Sequence, residues 1–248
     1  TYGTSCVGSF VGPVSGYKIT NSYSIDSYDI STSSHSGGFI SCPGNCWIEN
    51  CFTNVKLYCN TDGGVFYGIG HYANHFENCF ASGVVEGSSN VGGFFGRDEQ
   101  NTDTCINCYS TSMVGMQNTA STMGGFYGGA TGDTRIQNCY STGEVGTTKT
   151  KPGASGSTLG GIGGNNPGAA TFSNCYFDKQ TSGMGEYAIG TLTHNSFAGI
   201  TGYLTGQMIG DAMKEEFGTD GTWTYQSGVY PQLSVFTNPS ESFGNETD

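Results

Sequence analysis

The chain has 248 residues and is rich in Gly (42) and aromatics (15 Tyr, 15 Phe, 2 Trp), with 8 basic against 20 acidic side chains and a net charge of −12. That balance argues against nucleic acid, whose binding rests on cationic side chains displacing counterions, and no apolar run approaches the ~20 residues that cross a bilayer, so no membrane insertion is expected. The first residue is not Met and no signal peptide is visible, which reads as a mature secreted form or a fragment.

From the N-terminus the chain reads as a repeat. An Asn, usually a Cys, then a Tyr or Phe recurs as Asn21-Ser22-Tyr23, Asn50-Cys51-Phe52, Asn78-Cys79-Phe80, Asn107-Cys108-Tyr109, Asn138-Cys139-Tyr140 and Asn174-Cys175-Tyr176, in steps of 29, 28, 29, 31 and 36 residues. A Gly pair followed by mostly apolar residues alternates with it: Gly37-Gly38-Phe39-Ile40, Gly63-Gly64-Val65-Phe66, Gly92-Gly93-Phe94-Phe95, Gly124-Gly125-Phe126-Tyr127 and Gly160-Gly161-Ile162-Gly163. The variant Gly8-Ser9-Phe10-Val11-Gly12 opens the series.

One copy cannot bury its apolar face alone, so the copies are expected to stack. Gly, Ser, Thr and Asn disfavour helix, while short Thr- and aromatic-rich runs suit strands. A period near 29 is short for a propeller blade of ~40 residues. The expected fold is all-β, a single parallel β-solenoid (β-helix) of about six coils over residues 1–177. The segments around 97–104, 115–123 and 147–158 read as variable turns able to carry contacts without cost to the core.

Residues 178–233 are expected to form a C-terminal cap that closes the last coil. Leu204 to Phe217 carries apolar residues at helical spacing and reads as one helix ended by Gly218. Trp223 to Leu233 reads as a strand and its return, and 234–248 as a polar, acidic tail or linker. No comparable cap precedes the first coil, so that edge is expected to meet a partner or a preceding domain.

The Gly-Gly-Phe-Phe-Gly element at 92–96, followed by Asn107-Cys108-Tyr109-Ser110-Thr111, resembles the GLUG-type repeat of bacterial cell-surface and secreted proteins. The resemblance covers residues 8–177. Cys175-Tyr176-Phe177-Asp178-Lys179, Gly190-Thr191-Leu192-Thr193 and Tyr230-Pro231-Gln232-Leu233 resemble the segment that often follows the last such repeat. The resemblance implies an extracellular or surface location and a place in large adhesins or the non-catalytic parts of surface peptidases.

Five of the ten cysteines, Cys51, Cys79, Cys108, Cys139 and Cys175, share one repeat position. Equivalent positions of a solenoid lie about 4.8 Å apart, and side chains pointing the same way suit a buried thiol ladder. Cys42 and Cys46 flank a turn-rich loop and form a candidate disulfide, with Cys59 as the competing partner. Cys105-Ile106-Asn107-Cys108 matches C-x-x-C, but the repeat accounts for the spacing and no second pair completes a zinc site.

Alternation along the repeat strand leaves two readings of the aromatics Tyr23, Phe52, Phe80, Tyr109, Tyr140 and Tyr176. Counted from Cys they face outward, as a stripe able to stack on sugars. Counted from the apolar residue three before Cys they face inward, and a corner between the two would reconcile the counts. The aligned Asn residues are expected to bond to one another between coils.

Catalytic motifs are absent from the sequence. His71 and His75 are four apart outside any helical pattern, and no HExxH or G-x-S-x-G arrangement with a plausible triad occurs. The acids are dispersed, with Arg97, Asp98, Glu99 and Asp103 the nearest group. No cofactor is expected; calcium across Asp98 and Asp103 is a weak candidate without an EF-hand pattern.

Together these features predict a non-enzymatic, extracellular structural or adhesive domain. Its expected partner is a host or microbial surface glycan or protein. Self-association into a filament through the solenoid ends is the alternative, and a polysaccharide-acting lyase or hydrolase a more distant one.

Overall fold

The computed structural model describes residues 2–3, 6–32, 34–99, 102–116, 121–146, 158–166, 170–190 and 197–237. The chain winds as a parallel β-solenoid. One face is a 6-stranded sheet with one strand per coil, running from Val7–Gly8 through Ser36–Gly37, Thr61–Gly64, Ser89–Gly92 and Thr122–Gly124 to Thr158–Gly160. The next face carries Tyr67–Gly70, Phe95–Asp98, Tyr127–Ala130 and Gly163–Asn165. The third and largest is a 13-stranded sheet that turns a corner at each repeat Asn.

Those corners settle which side chains face inward. Asn21, Asn50, Asn78, Asn107, Asn138 and Asn174 all adopt left-handed backbone, φ between 50° and 53°. Asn tolerates this region better than other non-glycine residues. Because the corner breaks alternation, both Ile48 and Cys51 point into the core, and the aromatic after Cys points out. Each corner is tied to the one before it: Nδ2 of Asn50, Asn78, Asn107, Asn138 and Asn174 donates to Oδ1 of the preceding ladder Asn at 3.2 Å in every case.

Inside, identical positions stack. Phe10, Phe39, Phe66, Phe94 and Phe126 form one column with ring centroids 4.7 to 4.9 Å apart. Tyr67, Phe95 and Tyr127 form a second, at 4.8 and 5.3 Å. These columns fix a register that the sequence pattern misplaces in one copy. Gly64, not Gly63, pairs with Gly37 and Gly92, so Phe66 stacks on Phe39 and Val65 occupies the place of the second glycine.

Parallel pairing runs on past residue 177. Ile200–Tyr203 pairs with Cys175–Asp178, and Ile162 N–H donates to Ala188 O at 3.0 Å. Met184, Ala188 and Ile189 join the solenoid core.

The segment that follows packs against the outward aromatics Tyr109, Tyr140 and Tyr176. It folds back along the side of the solenoid as a strap. Its helical part is not one helix but three short pieces, α-helical at Thr205–Met208, 3₁₀ at Gly210–Met213 and α-helical at Lys214–Phe217. Ile209 is extended and Gly210 left-handed at φ +63°, which breaks the run. Trp223–Thr224 pairs antiparallel with Gln232–Leu233. Ser234–Thr237, expected as the start of a polar tail, is a helical turn whose Phe236 packs edge-on against Phe52 and Phe80 at 5.3 and 5.0 Å. Residues 238–248 of the expected tail lie outside the described residues.

Candidate functional site

The aromatic stripe faces out from the coils, yet it is not an open binding platform. Met208, Met213, Phe217, Trp223 and Leu233 of the strap form a second core with Tyr109, Tyr140 and Tyr176. Tyr140 donates to the Pro231 carbonyl, and Tyr176 to Glu216 at 2.7 Å. Burial is the physical reason: an uncovered row of stacked rings is apolar area that the strap removes from water. Phe80 is partly buried against the strap, and Tyr23, on the first coil, keeps 53% of its surface exposed while stacking on Phe52 at 5.2 Å.

Cys51, Cys79, Cys108, Cys139 and Cys175 are fully buried free thiols. Each donates to carbonyls near its own corner, as Cys108 does to Ile106 O at 3.2 Å. Burial pushes the Cys79, Cys108, Cys139 and Cys175 thiols up, holding them protonated. Cys105 also lies in the core, in register with Phe76 and Ile136. Cys42, Cys46 and Cys59 are likewise free thiols, not a bonded pair. Each has another neighbour: Cys42 Sγ donates to His35 O at 3.9 Å, Cys46 Sγ to Gly44 O at 3.5 Å and Cys59 Sγ to Glu86 O at 3.3 Å.

A second left-handed corner lies two residues before Gly8, Gly37, Gly64 and Gly92. Cys6, His35, Asp62 and Asn90 stand there with φ between 43° and 51°. His35 Nδ1 is 2.9 Å from Asp62 Oδ2, Arg97 Nε is 3.2 Å from Asp62 Oδ1, and Asn90 Nδ2 donates to Asp62 Oδ1 at 2.8 Å. The sequence held a signal for this ladder, because the position recurs in register. Its changing residue type concealed it.

Among the described residues, an open cleft of about 790 Å³ is lined by Cys6, Pro13, Val14, Ser15, Cys42, Gly44, His71, Tyr72 and Glu99. Its wall is a locked turn. Tyr72 is left-handed at φ +62° and 60% exposed. Such backbone strain in a bulky residue persists only where the surroundings over-determine it. Here Asn74 does so from within: its Nδ2 donates to Pro43 O and His71 O, each at 3.2 Å, and its Oδ1 accepts from Cys46 N at 3.0 Å. Asp103 anchors Asn74 in turn, accepting from its backbone N at 3.0 Å, its Nδ2 at 2.8 Å and Tyr67 OH at 3.0 Å. On the rim, His71 Nδ1 stands 3.9 Å from Glu99, which Arg97 holds at 3.3 Å.

Of the weak calcium candidates Asp98 and Asp103, Asp103 serves this turn from beneath the surface, and both are buried. Asp98 accepts from Thr134 Oγ1. No group of three or more His, Cys, Asp or Glu side chains able to hold a metal occurs among the described residues. Burial pushes both carboxyls up, Asp103 to about 8, with the Asp98 charge adding to it. Between the ordinary carboxylate range and about pH 8, the folded chain therefore binds more protons here than the unfolded chain. Stability from this pair is full at acid pH and falls as pH rises through that window. Thermal melting at pH 5 is expected to exceed that at pH 8 by a margin on the order of 2–3 kcal/mol. Asp103→Asn should flatten the slope, and an unchanged slope would refute the assignment.

Of the expected contact turns, 97–104 brings Glu99 to the cleft, while residues 100–101, 117–120 and 147–157 lie outside the described residues. No family model, curated protein or solved structure matches this chain.

Proposed function

We propose that the chain is an extracellular structural and adhesive domain of a surface protein, a stiff stack that presents a binding cleft to a glycan or protein on a host or microbial surface. The observation that supports this reading is the locked 71–74 turn, in which buried Asn74 and Asp103 hold Tyr72 strained and exposed beside the cleft. Preorganisation of this kind lowers the cost of ordering a site on binding. The Tyr72 ring offers a stacking face, and Ser15, His71 and Glu99 offer hydrogen bonds, a combination suited to sugar hydroxyls and ring faces. The cleft volume falls in the usual range for small-ligand sites.

Binding of the immobilised chain to a glycan and surface-protein array tests the reading. Tyr72→Ala is expected to weaken the strongest signal about tenfold or more, near 1.4 kcal/mol, while melting stays nearly unchanged. Binding that survives this substitution would move the adhesive surface elsewhere. Assay of the bound glycan for new reducing ends reports on the polysaccharide-acting alternative.

A second reading, self-association through the solenoid ends, draws on the first coil. Phe10 stacks on Phe39 at 4.9 Å and keeps 50% of its surface exposed. Charge repulsion opposes end-to-end contact in a −12 chain, so size-exclusion and electron microscopy should show longer assemblies as salt rises. A monomer at every salt concentration would remove this reading.

A further inference from the structure

We propose that Cys6 and Cys42 are a disulfide-forming pair that staples the first coil to the second along one wall of the cleft. The sequence pattern pointed Cys42 toward Cys46 or Cys59, but the fold brings it to Cys6. Val7 pairs with Ser36, which places Cys6 beside His35 on the second left-handed corner. The chain then turns through the glycine motif and returns, so that Cys42 Sγ lies 3.9 Å from the His35 carbonyl. Both cysteines thus meet at His35, Cys6 beside it on the neighbouring coil and Cys42 against its carbonyl, and both line the cleft.

The other eight cysteines are placed differently. Seven of them, the five ladder thiols with Cys105 and Cys46, are buried, and Cys59 is packed against Gly63 and bonded to Glu86 O. Cys6 is half-buried and Cys42 is 6% exposed. Access and a partner therefore coincide at this pair alone among the described residues.

The oxidant is a small-molecule disulfide such as oxidised glutathione. Cys6, the more accessible thiol, loses its proton and attacks one oxidant sulfur, which releases one glutathione thiol. Cys42 loses its proton and attacks the Cys6 sulfur of the mixed disulfide, releasing the second. Two S–H bonds are lost and one S–S bond forms. The two electrons end on the oxidant, now a pair of thiols.

The bridge would close a loop from residue 6 to residue 42 and reduce the freedom of the unfolded chain. The full chain, treated with a glutathione redox buffer and then alkylated, is expected to lose two hydrogens in mass. Peptide fragmentation should locate one bridge, Cys6 to Cys42, with eight thiols left to alkylate after unfolding. Melting should rise by about 5–10 °C. Cys6→Ser and Cys42→Ser should each abolish both the mass change and the rise, whereas Cys46→Ser and Cys59→Ser should keep them. No mass change under these conditions, a bridge from Cys42 to Cys46 or Cys59, or a bridge that forms only in urea would overturn the assignment. Glycan binding is scored separately, so failure here leaves the adhesive reading to its own test.

Discussion

Replacing Trp223 with alanine is expected to destabilise the chain by about 3–5 kcal/mol, the usual cost of truncating a buried Trp. The indole is 4% exposed and stacks on Phe217 at 4.7 Å, while its centroid lies 6.1 Å from Tyr109 and 5.9 Å from Tyr140. It is the hinge between strap and stripe. Loosening it also uncovers Tyr109, Tyr140 and Tyr176, so dye binding to exposed apolar surface and aggregation should increase together. Truncation after Tyr203 should show the same signs more strongly, with the solenoid's parallel strands still present by circular dichroism. A variant that melts like the parent and binds no dye would show that the strap is only appended to the stack.

A comparably large loss is expected from a single methyl group at Gly92. A Cβ there would lie 1.9 Å from Phe95 O of the same corner and 2.6 Å from Gly128 N of the next coil, both backbone atoms. Backbone cannot rotate aside as a side-chain tip can, so the corner must distort and carry the neighbouring coils with it. Gly92→Ala should cost about 3 kcal/mol or more, at the upper end for overpacking. Gly12 supplies the control, because a Cβ at Gly12 meets nothing within 4 Å. Gly12→Ala should stay within roughly 0.5 kcal/mol of the parent, as surface changes usually do. Equal melting of the two variants would show that the glycine row is not what sets the corner.

Both expectations follow from how a stacked solenoid is stabilised. Every coil repeats its neighbour, so one corner geometry is used many times. The Asn ladder, the Phe10 to Phe126 column and the glycine row are three expressions of that repetition. Features that do not repeat, the strap and the 71–74 turn, are held by specific contacts instead. Tyr72 keeps its strained backbone because Asn74 and Asp103 are buried beneath it. The adhesive reading rests on that difference, since binding sites concentrate where a rigid scaffold carries a local exception.

The sequence by itself determined the class of fold, the inward Cys ladder and the bonded Asn ladder. Periodic spacing is a direct record of stacking: residues of the same register must meet their own copies, and only compatible types recur. That a corner lies between the apolar residue and the Cys was also legible, because two counts of alternation disagreed; its place at Asn came from the structure. Tertiary structure alone decided what period cannot encode. The strap carries no repeat, so nothing in Leu204 to Leu233 showed whether it would close the end or lie along the side; the exposed rings of Tyr109, Tyr140 and Tyr176 drew it there. The register of Gly64 was set by stacking of Phe66 on Phe39, a contact between coils. The pairing of Cys6 with Cys42, and the locking of Tyr72 by Asn74 and Asp103, join residues from different coils whose spacing obeys no repeat. Such contacts exist only once the winding has brought them together.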